Sequence, residues 1–401
     1  METTNSTHRV EIVPVVLEKH PNADTLSIVH IDGYQVIVKT ADWPVIGAGG
    51  PSCTDNSHGG GTPSSQLGAY IPPDSLVPVD RPEFAFLVGQ AKHTDPCPYS
   101  FPAIPAVFPP PKCECGAKVR IKARKLRGEW SMGLLIPAPE GCCVGFDVAD
   151  LLGVKHYEPP EPNATTGGEA EKAPSTIFRE ITQFGQKMTV LVEIPTYHVE
   201  AFRKYGSKVL TPGEPVWVTE KIHGTNGRWV HDGKRYYCGS HTQWKRYDEN
   251  NLWWRALAGC PALSNFLHMN PGTVVYGEVY GQVQDLKYGC AKNEIRVAVF
   301  DILHQGKWVD AIDAYSFQPN RDGPPAWTMP WVPCFNTFNT PAIDISYEFD
   351  ELIKLADGPS MIPGATNVRE GIVIKPVRER WHAWCGRVCL KVVSNQYLER
   401  A

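Results

Sequence analysis

Thr219-Glu220-Lys221-Ile222-His223-Gly224-Thr225-Asn226-Gly227 follows directly on the apolar run Val216-Trp217-Val218. A β-strand pattern therefore runs into a lysine, and a glycine turn follows three positions later. The arrangement fixes one amine at the end of a rigid strand, where a glycine lets backbone come close to a bound group. A lysine amine is a covalent nucleophile where its surroundings favour the neutral form. Its ordinary pKa is ~10.4, so burial or neighbouring cations must lower it. Taken alone, Lys-x-x-Gly is a weak signal and reads more readily as an exposed lysine before a turn.

Three segments further along change that balance. Val275-Tyr276-Gly277-Glu278-Val279-Tyr280-Gly281 sets a carboxylate inside an apolar strand, with Glu278 on the face of Tyr276 and Tyr280 by alternation. Val297-Ala298-Val299-Phe300-Asp301-Ile302 is an apolar strand ending in an aromatic and an acid. Arg369-Glu370-Gly371-Ile372-Val373-Ile374-Lys375 is followed by Cys389-Leu390-Lys391-Val392-Val393. Charges in strand interiors are costly unless paired or ligand-bound. Acids and lysines so placed suit a phosphate-rich, metal-assisted site. Lysines neutralise phosphate, and carboxylates hold hard divalent cations.

In this order the segments resemble the motifs of the covalent ligase and capping-enzyme nucleotidyltransferase superfamily. Glu220-Lys221-Ile222-His223-Gly224-Thr225-Asn226 is similar to the RNA ligase 2 family in particular, since DNA ligases and capping enzymes typically carry Asp where His223 stands. The resemblance covers about Val216 to Val393. It implies that Lys221 attacks the ATP α-phosphate, and that Glu220, His223 and Asn226 line the nucleotide and RNA-phosphate site. It further implies that Glu278 contacts the ribose or a metal water and Phe300 stacks on adenine. Glu370 would assist metal binding, and Lys375 and Lys391 would contact the α-phosphate. ATP and Mg²⁺ or Mn²⁺ are the implied cofactors, with metal at Glu278 and Glu370. Two positions depart from the pattern. His241, in Gly239-Ser240-His241-Thr242, stands where the family has an arginine, leaving Lys245 or Arg246 to supply the cation. Cys389 stands where a first lysine of Lys-x-Lys is common.

The first part of the chain reads as β-rich, with strands expected at Ile12 to Leu17, Leu26 to Ile31, Tyr34 to Lys39, Lys118 to Lys122 and Ser131 to Ile136. Residues 43–111 are crowded with Gly, Pro and Ser and read as an elaborated loop insertion. His20-Pro21-Asn22-Ala23-Asp24-Thr25-Leu26 and Lys125-Leu126-Arg127-Gly128-Glu129-Trp130-Ser131 resemble the OB-fold tRNA-binding module of some aminoacyl-tRNA synthetases. Lys112, Lys118, Arg120, Lys122, Arg124, Lys125 and Arg127 crowd a stretch with one acid, Glu114, a pattern suited to tracking an RNA backbone. Lys391 lies ten residues from the last residue, so the auxiliary module precedes the motifs. That order resembles the Deinococcus and Naegleria type of RNA ligase.

Composition narrows the remaining classes. The 401 residues suffice for two or three domains. A net charge of −4 means any nucleic-acid surface must be local. No secretory signal opens the chain and no apolar run is long enough to span a membrane. The 12 cysteines therefore read as mostly reduced thiols of an intracellular, cytoplasmic protein, with the nucleus open. Cys113-x-Cys115 with Cys142 and Cys143 lacks the usual zinc spacing and reads more simply as incidental thiols.

The expected fold class is α+β: an N-terminal OB-type β-barrel over 1–154, a linker over 155–176, and a nucleotidyltransferase domain of antiparallel sheets with flanking helices over 177–401. Helices are expected at His198 to Tyr205 and Tyr347 to Ala356. The expected activity is ATP-dependent sealing of RNA 3′-hydroxyl and 5′-phosphate ends by a monomer, on nicked duplex or structured RNA in repair. The rivals are a capping-type guanylyltransferase and a non-catalytic RNA- or tRNA-binding adaptor.

Overall fold

The computed structural model describes residues 8–43, 66–92, 116–157, 169–172, 178–183, 186–191, 193–314, 328–335 and 348–400. The chain divides into two compact units, Met1–Pro159 and Pro160–Ala401.

In the first unit Glu11–Val15 and Leu134–Pro137 pair antiparallel on either side of Gln66–Ile71. A second sheet joins Lys155–His156, Ser75–Pro78 and Lys118–Arg120, and a third joins Glu18–Lys19, Leu26–Ile31 and Tyr34–Lys39. The loop reading of 43–111 needs correction. Gln66–Ile71 is the central strand of its sheet, and Ala69, Ile71, Val77, Phe84, Leu87 and Val88 belong to the unit's core. The punctuating Gly and Pro residues around these short apolar runs hid them. Residues 44–65 and 93–115, with Cys113 and Cys115, lie outside the described residues. The expected strand Ser131 to Ile136 is interrupted at Gly133, whose φ of +114° breaks the pleat. The strands of this unit pair antiparallel, and among the described residues no sheet closes on itself.

The second unit is built on two sheets. The larger has seven strands in the order Ala170–Glu171, Trp244–Lys245, Tyr236–Gly239, Thr225–His231, Val274–Gly281, Ile295–His304 and Lys307–Trp308, all antiparallel. The smaller has the order Glu200–Ala201, Leu390–Val393, Gly371–Pro376 and Val216–Lys221. Both ends of the stretch read as a linker thus carry sheet residues: Lys155–His156 in the first unit and Ala170–Glu171 in the second. Two-residue edge strands leave no periodicity in a sequence.

Alternation assigns each sheet two faces. On the larger sheet Trp229, Val275, Val279, Val297 and Val299 pack under the helices Leu252–Ala258 and Pro261–Met269. The Asn251 side chain accepts hydrogen bonds from the Trp253 and Trp254 backbone N–H groups and starts the first of these helices. On the smaller sheet Val216, Val218, Ile372, Ile374, Leu390 and Val392 pack against the helices Phe202–Val209 and Phe349–Ala356. The first of these begins later than expected, because Glu200–Ala201 is held extended beside Leu390–Lys391. Val373 and Cys389 from the free face of the smaller sheet join Val230, Val274, Tyr276 and Leu303 of the larger. The two sheets therefore face each other, and each is backed by helices.

Candidate active site

The register of the smaller sheet brings the three singled-out lysines to one side. Lys221 pairs with Gly371, Trp217 with Lys375, and Val373 with Lys391. Directly paired residues project from the same face, so Lys221, Lys375 and Lys391 all lie opposite the helix-packed core and toward the larger sheet. Glu220 projects the other way. Its Oε2 accepts the Met361 backbone N–H at 2.6 Å, and burial raises its pKa against the Ser360 and Met361 donors. The structure does not bring the Glu220 carboxylate together with Lys221.

Lys221 Nζ donates to Glu370 Oε1 at 2.6 Å. Burial acts to raise the Glu370 pKa, but Lys221 and His223 outweigh it and hold the carboxyl down to about 2. His223 sits beside the pair, with Nδ1 3.6 Å from Glu370 Oε2 and Nε2 2.8 Å from Asp285 Oδ1. Its backbone N–H donates to the Tyr288 hydroxyl at 2.7 Å. Asp285, Tyr288 and Tyr397 are neighbours that the sequence did not announce, since they come from 62 to 174 residues away.

Glu278 projects from the facing sheet. Burial drives its pKa up to about 8, against Lys221, while Glu370 adds to the rise. Asn226 is its direct cross-strand partner, and Asn226 Oδ1 is buried without a hydrogen-bond partner. Gly224 is needed here for packing. A Cβ on it would lie 2.3 Å from the Val279 carbonyl oxygen and 3.0 Å from Glu278 Cγ. The glycine lets the turn after Lys221 rest against the strand that carries Glu278, a closer reason than approach to a bound group.

Phe300 and Asp301 both point into the space between the sheets. The register with Val274–Gly281 shifts between Tyr276 and Gly277, so Gly277 pairs with Val299 and Tyr276 with Asp301. Phe300 is the extra residue of a β-bulge, which turns two successive side chains to one face. Phe300 packs 4.6 Å from the Tyr197 ring, measured between centroids. Asp301 Oδ2 accepts from Lys375 Nζ at 2.8 Å, Arg387 Nη2 at 2.7 Å and Tyr197 Oη at 2.7 Å. Burial would raise the Asp301 pKa, but Arg387 and Lys375 hold it below the usual carboxylate range. Lys375 is thus anchored by an acid one residue past the aromatic.

The position expected to carry an arginine holds His241, whose Nε2 lies 2.9 Å from the Tyr197 carbonyl oxygen. Neither substitute expected from sequence faces the site. Lys245 donates to Gln243 and lies over Trp253 on the helix-packed side, while Arg246 pairs with Glu169 at an exposed edge. Arg228 does face inward. It is paired with Tyr276 and Gly239, and its guanidinium lies 4.4 Å over the Trp244 ring.

In the first unit the two sequence segments that stood out touch each other. The His20 ring is within 3.2 Å of the Leu126 carbonyl oxygen, and Asn22 Nδ2 donates to the Arg127 carbonyl at 3.0 Å. They brace a hairpin of Arg124–Leu126 and Glu129–Ser131 whose turn, Arg127 at φ +51° and Gly128 at φ +97°, is left-handed. Lys118, Lys122, Arg124, Lys125 and Arg127 are exposed, whereas Arg120 is tied to Asp74 and stacked on Tyr157.

Residues 214–393 match the family model for RNA ligase. Among curated protein sequences none matches significantly. Solved structures of Naegleria gruberi RNA ligase share the fold. A variant with ATP and Mn superposes with a TM-score of 0.70 at 19% identity, covering 98% of each chain. A variant with AMP and Mn gives 0.70 at 19%, covering 98% of this chain and 99% of that one. The enzyme with PPi gives 0.69 at 19%, covering 98% of each.

Proposed function

We propose that this chain is an ATP-dependent RNA ligase that works through an AMP carried on Lys221. The observation that carries the reading is the placement of Lys221, in contact with Glu370, on the same sheet face as Lys375 and Lys391 and opposite Glu278 and Phe300. The match of residues 214–393 to RNA ligase supports it.

In this reading Lys221 Nζ attacks the α-phosphorus of ATP. A P–N bond forms, the bond to pyrophosphate breaks, and the amine loses its proton. Phe300 stacks on the base, and Lys375 and Lys391 face the phosphates. AMP then passes to an RNA 5′-phosphate, and a 3′-hydroxyl displaces it to close the strand. A divalent ion fits the donor set. Glu370 Oε2 and Asn226 Oδ1 are buried oxygens without hydrogen-bond partners, and Glu278 neighbours Asn226 across the ladder. Oxygen donors of this kind suit Mg²⁺ or Mn²⁺, although among the described residues no three His, Cys, Asp or Glu side chains form a ready-made cluster. When bound, such an ion neutralises charge on the reacting phosphate.

The first unit is read as an OB-type RNA-binding module whose braced basic hairpin contacts phosphates, with the boundary between modules near residues 155–176. The substrate is read as a nick in duplex or structured RNA. A capping-type guanylyltransferase would take GTP, and a non-catalytic adaptor would take neither nucleotide. The test is a sealing assay with ATP or GTP on nicked duplexes in which each strand is RNA or DNA in turn. Sealing that needs ATP and an RNA 3′-hydroxyl strand is expected. Labelling from GTP alone, or no sealing of any duplex, would remove the ligase reading.

A further inference from the structure

We propose that Tyr397, on the short helix Asn395–Glu399, is a positioning residue for His223 and, through it, for the Glu370–Lys221 pair. The proposal rests on reading the site as an adenylylation centre. It concerns residues beyond 393, where the family match ends.

The Tyr397 hydroxyl lies 3.2 Å from His223 Nδ1, and the two rings are 5.4 Å apart between centroids. On the other side of the imidazole, Nε2 is 2.8 Å from Asp285 Oδ1. Asp285 is in turn held by Arg400, Nη2 to Oδ2 at 3.0 Å, and the Arg400 guanidinium lies 5.1 Å over the Tyr397 ring. One turn of chain therefore grips both sides of His223, directly at Nδ1 and through Asp285 at Nε2.

The grip is itself anchored. Ser394 Oγ accepts the Tyr397 backbone N–H at 3.1 Å and donates to Asp357 Oδ1 at 2.6 Å. The Tyr397 ring packs against the cluster of Ile222, Tyr280, Leu286 and Tyr288, which surrounds the turn after Lys221.

The chemistry follows from donor and acceptor roles. An ionised carboxylate only accepts, so the nitrogen facing Asp285 carries a proton. The Tyr397 hydroxyl, which can both donate and accept, holds the other nitrogen, Nδ1. The ring edge bearing Nδ1 is also the edge 3.6 Å from Glu370 Oε2. A hydrogen bond that fixes the ring orientation therefore fixes what Glu370 faces while it holds Lys221. Without the hydroxyl the imidazole is held on one side only and can turn.

The test uses the full-length chain with Tyr397→Phe, His223→Ala and the double variant. Imidazole ¹⁵N signals report the contact without reference to activity, and initial rates of lysyl-AMP formation report its use. Tyr397→Phe keeps the ring and its packing, so the melting temperature should fall by no more than the few degrees that one lost hydrogen bond costs. The His223 signals should shift. The rate constant should fall about tenfold, the scale of one lost hydrogen bond, with KM for ATP unaltered. The double variant should be no slower than His223→Ala, because both changes act through one group. Unmoved His223 signals in Tyr397→Phe, or losses that multiply in the double variant, would overturn the proposal. Wild-type protein that forms no lysyl-AMP would instead defeat the ligase reading, while the ring signals would still decide whether Tyr397 holds His223.

Discussion

Lys221 and Glu370 are in contact across the smaller sheet, Nζ to Oε1 at 2.6 Å, with the Glu370 side chain only 12% exposed. A buried carboxylate at that distance favours the ammonium form, which is not a nucleophile. The contact holds the amine in place at the end of its strand. Glu278, facing the same amine, is in the opposite condition: its burial keeps it protonated at neutral pH.

That contrast gives a pH test. The Glu278 carboxyl is raised from 4.5 to about 8. In the unfolded chain it ionises near 4.5, whereas in the folded chain it stays protonated to about 8. Its contribution is therefore neutral below pH ~4.5 and grows destabilising as pH rises through that window. With chelator present, Glu278→Gln should be more stable than wild type at pH 8, by on the order of a few kcal/mol. The gap should close by pH 4. Urea unfolding at the two pH values measures it, and a gap independent of pH would contradict the assignment.

Asp301 joins Lys375, Arg387 and Tyr197 in a buried network. Asp301→Ala removes the central carboxylate shared by Lys375 and Arg387, leaving both with Glu379 alone as a carboxylate partner among the described residues, and breaking a buried ion pair typically costs ~3–5 kcal/mol. Tryptophan fluorescence during urea unfolding should show a loss of that size. A loss under ~1 kcal/mol, the scale of an exposed pair, would mean that water already screens the network.

Phe300→Ala should raise the KM for ATP more than Phe300→Tyr does. A base–aromatic stack is worth about 1–3 kcal/mol, and Tyr keeps the ring face. Because Phe300 also packs against Tyr197, melting temperatures should be taken alongside. Equal losses in both variants, tracking stability, would assign Phe300 to packing alone.

Some of this site was open to reading from the sequence and some was not, for physical reasons. Lys221, Glu278, Phe300 and Glu370 stood out because charged or aromatic residues broke strand patterns that would otherwise be apolar. The side on which each one lies depends on register, and the bulge that turns Phe300 and Asp301 together has no periodic signature. Asp285 and Tyr397 reach His223 from remote segments that carry no motif. Glu220 looked like a site residue by adjacency to Lys221, yet alternation sends it to the other face. In the first unit, Gln66–Ile71 was concealed by the glycines and prolines around it, while the His20–Asn22 and Arg127–Gly128 segments were visible and their contact was not.

Removing residues 1–159 should leave lysyl-AMP formation largely intact and impair sealing. Every side chain assigned to ATP lies at or after Lys221. The strand Ala170–Glu171 pairs with Trp244–Lys245 and should be kept. Adenylylated protein or RNA should accumulate unsealed, and RNA binding should lose part of its salt dependence as phosphate contacts disappear. Sealing equal to the full chain would give the first unit another role.

The most direct measurement is covalent labelling by ATP labelled at the α-phosphate, with Mn²⁺ or Mg²⁺ and no RNA, followed by denaturing electrophoresis. The account expects a labelled band from the wild-type chain and none from Lys221→Ala, with label from GTP absent. Label that persists in Lys221→Ala, or a wild-type chain that takes none, would contradict it.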